Sequence, residues 1–154
     1  MTAYSSRADG GVVDGYFPKT ESVDEVVPER AKRYLQQAIE AMHTPSGAVM
    51  LAASAVDAML KHKDYKKGSL KDRIDGARDA HLIIAEMAAW GHNIRLDAND
   101  ERHADEDAAM PVEADARRSL DFALALAEFL YVLPHRVERG RDDVPAVAPR
   151  QRTA

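Results

Sequence analysis

The clearest helical pattern in this chain is the stretch PSGAVMLAASAVDAMLKH, residues 45–62. Its apolar residues recur at spacings of three and four, as one buried face of a helix requires. Pro45 disfavours a helical Thr44, so the preceding helix ends there, and Thr44 or Ser46 can cap this one. Many residues in the stretch are small, which indicates that a neighbouring helix packs closely against it.

The same periodicity marks four more helices along the chain. Pro28 suits a first helical position, Ser69 with Asp72 forms a capping-box pattern, and Pro134 is expected to stop the last helix. The acidic segment from Asn99 to Pro111 is expected to be loop-like, at least in part. No segment shows strand alternation flanked by hairpin turns. The sequence predicts an all-α bundle of about five helices. Besides residues 45–62, we expect helices at about 28–43, about 81–97 and about 112–133, and a short helix that begins at residue 69.

The ends of the chain differ from its middle in composition. Residues 1–24 are rich in Gly, Ser and charge and predict an irregular arm, in which Tyr16-Phe17-Pro18 is a local anchor. Residues 25–135 predict the helical bundle domain. Residues 136–154 are charged and contain proline, which predicts a disordered tail.

Composition and charge exclude several classes of protein. At 154 residues the chain is one domain, and 45% hydrophobic with 31% charged residues is ordinary for a soluble globular protein. The absence of cysteine excludes disulfides, thiol catalysis and thiolate metal sites. The start of the chain lacks the apolar core of a signal peptide, and the run 120–133 is too short to span a bilayer. We therefore expect a cytoplasmic protein with no membrane as partner.

Arg95, Asn99 and His103 are the leading candidates for catalysis, at positions i, i+4 and i+8 near the end of the fourth helix. Residues four apart stack on one helix face, so we expect these three side chains to lie together. Arg95 would hold a phosphate and stabilise charge in a transition state. His103 would act as general acid or base, and Asn99 would orient one of these groups.

A purely structural interpretation of the same residues is equally concrete. Arg95 would pair with Asp57 or Asp97, Asn99 would cap the helix C-terminus, and His103 would bond a backbone carbonyl.

One dense positive segment is the candidate for nucleic-acid binding. With a net charge of −5, the whole molecule does not attract nucleic acid, so any such binding needs a local patch. Tyr65 lies among lysines and could stack on a base. A plain solvent-exposed connection between helices is the alternative. The candidate residues are Lys61, Lys63, Tyr65, Lys66 and Lys67.

No metal site or cofactor is predicted. His and carboxylate side chains cluster between His92 and Asp107, yet they lack a defined ligand spacing. A solvated acidic loop is the simpler interpretation. There is also no glycine-rich phosphate loop, Rossmann fingerprint or nucleophile elbow.

The order of these signals resembles a bacterial family, Domain of Unknown Function 4145. In that family an Ile-Arg pair is followed by Gly-Asn and then His; here Ala98 replaces the glycine. The family tends to carry an arginine pair and a Leu-Glu pair in the second helix. This chain has Ala53-Ser54 and Val56-Asp57 at those positions. The matching features are Tyr16-Phe17-Pro18, Val27-Pro28, Tyr34 with Ala38, Ala48 to Leu60, Leu70-Lys71-Asp72-Arg73-Ile74, Ile94-Arg95, Ala98-Asn99 and His103.

The resemblance implies a HEPN-like helical bundle, because this family is grouped with the HEPN superfamily. Several HEPN branches are metal-independent RNases that act through an arginine and a histidine across a dimer interface, and others are inactive binding modules. Here seven residues separate Arg95 from His103 and Leu96 follows the arginine, whereas the RNase branches use a shorter spacing with a polar residue.

We therefore expect a nucleic-acid-linked accessory or binding module in a defence or toxin–antitoxin context. One alternative is a metal-independent endoribonuclease using Arg95 and His103, and another is a structural interaction protein without nucleic-acid affinity. The expected partners are a second copy of the chain, RNA or another protein. The homodimer is expected because the small-residue and aromatic faces, including Trp90, offer more apolar surface than a small bundle hides.

Overall fold

The computed structural model describes residues 21–144, and they contain helices and no strand. The all-α prediction is confirmed, whereas Tyr16-Phe17-Pro18 lies outside the described residues. Residues 21–24, the last part of the predicted arm, are not helical. The elements are α1 Glu29–Glu40, α2 Pro45–His62, α3 Leu70–Asp79, α4 Ala85–His103, α5 Glu113–Ala127, a π-helical segment Glu128–Val132 and α6 Leu133–Asp142.

Helix α2 is the centre of the bundle, since it contacts α1, α3, α4 and α5. Its small residues Ala48, Ala52 and Ala55 are completely buried and allow these helices to approach. Phe122 of α5 fills the core nearby and packs against Gly91 of α4, where an added Cβ would lie 3.1 Å from Phe122 Cζ. The interior glycine of α4 therefore allows the aromatic ring to approach the helix backbone closely.

Helix α3 begins with the capping box that the sequence predicts. The Asp72 N–H donates to Ser69 Oγ at 3.3 Å, and the Ser69 N–H donates to Asp72 Oδ2 at 2.8 Å. Gly68, just before the cap, has a φ of +73°, which a residue with a side chain rarely adopts. Together, the glycine and the cap fix where the first turn of α3 lies.

The predicted limits of α4 are wrong at both ends. The helix begins at Ala85, because His81 has a positive φ of 58° and belongs to the preceding turn. It continues through the expected loop to His103, where Ala104 ends it in the left-handed conformation. Ala98 explains the extension, since it is buried in a small cluster with Ala48, Val49, Ala53 and Ala116. This burial stabilises turns that polar composition alone does not favour.

The predicted stop at Pro134 is also wrong. The chain passes from α5 through the π-helical segment into α6 without leaving helical backbone angles, and Pro134 directly follows the π-helical turn, in which the Leu133 N–H donates to the Glu128 carbonyl. Residues 136–142 are therefore helical, although they belong to the tail predicted to be disordered. Tyr131 secures the π-helical segment, because its hydroxyl donates to the Met59 carbonyl at 3.2 Å.

Candidate anion-binding cleft

A cleft of about 300 Å³ opens where α2, the start of α3 and the C-terminal half of α4 meet. Three separate elements contribute to its walls, so it exists only in the folded chain. The lining residues are Ala53, Ser54 and Asp57 from α2, Gly68, Ser69, Leu70, Lys71 and Arg73 around the start of α3, and Arg95, Ala98, Asn99 and Arg102 from α4.

The cleft is strongly cationic in a protein of net negative charge. Four of its lining side chains, Lys71, Arg73, Arg95 and Arg102, are positive, and Asp57 is the one negative side chain in its wall. Ser69 and Leu70 at the start of α3 also line the cleft, but the capping box with Asp72 already uses N–H groups there and places a carboxylate at that helix end. The excess of cationic side chains is therefore the feature that favours an anion.

Arg95 is the cation in the cleft that combines an unsatisfied buried nitrogen with the absence of an ion pair in the described part of the chain. Its Nε is buried without a hydrogen-bond partner, as is the Nε of Arg73, but Arg73 is ion-paired with Asp57. Neither of the ion pairs considered for it, with Asp57 or Asp97, is formed. Because buried polar groups are normally hydrogen-bonded, Arg95 has unused capacity to bind a ligand. Ion pairs within residues 21–144 engage other arginines, namely Arg33, Arg73, Arg78, Arg117, Arg118 and Arg136.

Arg73 forms a fixed wall of the cleft. Its Nη1 donates to Asp57 Oδ1 at 2.6 Å and its Nη2 donates to the Gly68 carbonyl at 2.7 Å. Only 14% of its side chain is exposed. Asp57 also pairs with Lys61 at 2.7 Å. Arg73 is thus held in place by its own chain and shares the negative charge of Asp57 with Lys61.

Lys71 at the mouth of the cleft is paired in a similar way. Its Nζ lies 3.0 Å from Asp75 Oδ2, and His92 Nε2 lies 2.8 Å from Asp75 Oδ1. Hydrogen bonds from Lys71 and then His92 hold the pKa of Asp75 below its usual range. His92 lies one turn before Arg95 on α4, but its contact is to α3 and it does not line the cleft.

Arg102, which the sequence interpretation did not select, lines the cleft together with Arg95 and Asn99. At 3.6 residues per turn, a residue at i+7 returns to within about 20° of the first, whereas one at i+8 is rotated by about 80°. The helical period was therefore the signal that identifies Arg102 as the neighbour of Arg95.

His103 is exposed, ends α4 and is not among the residues that line the cleft. It lies about 12 Å further along the helix axis than Arg95. The structure thus brings Arg95 and Asn99 together and leaves His103 outside.

A model of the family described as Domain of unknown function (DUF4145) matches residues 24–143. The chain belongs to this family. No match was found among curated proteins or among solved structures.

In this DUF4145 chain, most side chains of the lysine-rich segment 61–67 contact other residues of the same chain. Lys61 pairs with Asp57, and the Lys63 Nζ lies 4.7 Å from the centre of the Tyr131 ring. Tyr65 is partly buried and packs against the main core cluster. Lys66 reaches Asp64 at 3.9 Å, and Lys67 is exposed.

No group of three or more His, Asp or Glu side chains within residues 21–144 is arranged to hold a metal ion. No helix in the described chain is both long and apolar enough to cross a membrane. Within residues 21–144, the cleft is accordingly the feature that combines concave shape, concentrated charge and an unsatisfied polar atom.

Proposed function

We propose that this DUF4145 protein is a nucleic-acid-linked binding module whose cleft holds a phosphate group of an RNA strand. The observation that carries the proposal is Arg95, whose buried Nε has no internal partner and which lines a cleft containing three further cations. Arginine binds phosphate through directed hydrogen bonds as well as charge.

Each part of the cleft has a role in this proposal. Arg95 contacts the phosphate from the floor, and Arg102 contacts it from the open side, one helical repeat away. Asn99 lies between them on the same face and offers both a donor and an acceptor to a ribose hydroxyl or base edge. Arg73 contributes mainly by shaping the wall, because Asp57 and Gly68 already hold its guanidinium.

RNA is proposed because of the resemblance to HEPN-like proteins, and the cleft supplies the chemistry for its phosphate. We further propose a HEPN-like bundle, a cytoplasmic location and a defence or toxin–antitoxin context. A homodimer is supported by Trp90 and Leu96 on α4, which are 38% and 47% exposed. Exposed apolar residues on one helix favour association with a second surface.

The metal-independent RNase remains a prediction for the same protein. Arg95 is available for the role that the prediction assigns to it, but His103 lies outside the cleft wall. Binding without cleavage is therefore the function that the geometry favours.

Fluorescence anisotropy with a labelled single-stranded RNA, in chelator and at two salt concentrations, tests the proposal. We expect salt-dependent binding that Arg95→Gln weakens by about tenfold or more, since bonds to a charged group contribute about 1.5–3 kcal/mol. Arg30→Gln, which changes an exposed arginine on α1, is the matched control and should bind as the wild type does.

Absence of RNA binding at low salt would contradict the proposal and leave the structural interaction protein. RNA binding that is unchanged in Arg95→Gln would contradict the assignment of the cleft as the binding site. The same samples are resolved on a denaturing gel. Cleavage that disappears in His103→Ala would establish the RNase instead.

A further inference from the structure

We infer that the group recognised in the cleft is a terminal phosphate monoester of an RNA strand and not an internal phosphodiester. This inference rests on the proposed function and specifies its ligand. It follows from the charge balance in the cleft, from the size of the cleft, and from the charges at its two ends.

The charge balance matches a group that carries about two negative charges. Lys71 is paired with Asp75, and Arg73 is paired with Asp57. Arg95 and Arg102 are the two lining cations that have no ion pair within residues 21–144. A phosphate monoester carries about −1.5 to −2 at pH 7, whereas each internal phosphate of a strand carries a single charge.

The size of the cleft suits one nucleotide. Ligand sites usually enclose about 300–1,000 Å³, so a cleft of about 300 Å³ lies at the small end of that range. Proteins that follow an extended strand use a continuous basic groove with several aromatic stacking surfaces. No aromatic side chain lines this cleft.

The two ends of the cleft carry opposite charge. On the α4 side, Arg102 is surrounded along the chain by acidic residues, which would repel a strand that continued past it. On the α3 side, Gly68 and Ser69 follow directly after Lys66 and Lys67, and the exposed Lys67 would attract the next phosphate, whereas Lys66 reaches Asp64 and the Asp72 carboxylate lies beside Gly68. This asymmetry favours a strand that enters from the lysine side and ends near Arg102. The acidic residues on the α4 side are Asp100, Glu101, Asp105, Glu106 and Asp107.

The test compares one internally labelled RNA in three forms: with a 5′-phosphate, with a 3′-phosphate, and with hydroxyls at both ends. We expect one of the phosphorylated forms to bind about tenfold more tightly than the hydroxyl form, because the extra charge is placed between two arginines. Arg102→Gln should remove most of this difference, and Arg30→Gln should keep it. A nucleoside monophosphate carrying its phosphate at the preferred end should compete, and a dinucleoside monophosphate without a terminal phosphate should not.

The acidic end of the cleft provides a second variant. Replacing Asp105 with Asn and Glu106 with Gln removes two charges from an exposed loop, so folding should be unaffected. We expect this double variant to bind the hydroxyl form more tightly and to discriminate less between the forms.

Equal affinity for all three RNA forms, with Arg95→Gln still weakening them, would overturn the monoester inference and leave the proposed function intact. Absence of binding by every form would overturn both. Circular dichroism and thermal unfolding of each variant establish that a loss of binding is not a loss of folding.

Discussion

The cleft and the lysine-rich loop are both positive, but they differ in how their charges are used. The loop carries the densest run of lysines in the sequence, yet Lys61, Lys63 and Lys66 each have a partner in the described chain. The cleft draws its cations from two helices, and Arg95 there has a buried nitrogen without one. The site that we propose is therefore located by unpaired charge in a concave place, and the density of lysines along the sequence does not locate it.

The largest expected effect is on affinity and separates these two regions directly. Arg95→Gln should weaken RNA binding by about tenfold or more, whereas Lys67→Gln should change it by less than about threefold, because an exposed, well-hydrated lysine contributes little. Anisotropy titrations of both variants at one salt concentration measure the ratio. If Lys67→Gln weakened RNA binding more than Arg95→Gln, the lysine-rich loop and not the cleft would be the binding site.

The next effect is on stability and compares the aspartates beside the two regions. Asp57→Asn should reduce the free energy of unfolding by about 1–2 kcal/mol, because it deprives the largely buried Arg73 of its charged partner. Asp64→Asn should change it by less than about 0.5 kcal/mol, since the pair with Lys66 is exposed and long. Asparagine is the appropriate replacement at position 64, because Asp64 has a positive φ of 72° and asparagine also tolerates this backbone conformation.

Urea unfolding followed by circular dichroism provides both values. Similar losses in the two variants would show that the Asp57–Arg73 pair is no more structural than a surface pair.

A smaller effect concerns the start of α3, which belongs to the cleft and directly follows the loop. Ser69→Ala removes the hydroxyl that caps the helix and should cost about 1 kcal/mol of stability. The loosened first turn should also weaken ligand binding modestly. If hydrogen exchange of the α3 amides is unchanged in this variant, the capping box does not position the cleft wall.

The smallest effect is the pH dependence at Asp75. Its folded pKa is lowered by Lys71 and His92, so its stabilising contribution is present above the unfolded value of about 3.9 and is lost as pH falls through the folded pKa. Asp75→Asn should therefore flatten the decrease in stability below about pH 4. Thermal unfolding of both proteins across this range is the measurement, and parallel curves would contradict the assignment.

The sequence predicts those parts of the fold that local chemistry controls. Pro45 sets the start of α2, and Ser69 with Asp72 sets the start of α3. The end of α4 could not be predicted, because it depends on burial of Ala98 against α2 and α5. Continuation past Pro134 depends on a π-helical segment that the core stabilises through Tyr131.

The candidate site was predictable only in part, for a similar reason. Arg95 and Asn99 lie on one face of one helix, and helical periodicity is enough to associate them. The same periodicity also identifies Arg102 when the full rotation per residue is counted. The contributions of Lys71 and Arg73 required the packing of α3 against α4, which no local pattern specifies.

The most direct test of the account is an NMR titration of the ¹⁵N-labelled protein with a nucleoside monophosphate. If the cleft binds phosphate, the largest shifts will be in the amides of 68–73 and 95–102, and the guanidinium signals of Arg95 will move as the group gains a partner. Shifts confined to the loop 61–67, or Arg95 guanidinium signals that do not respond to saturating ligand, would contradict it.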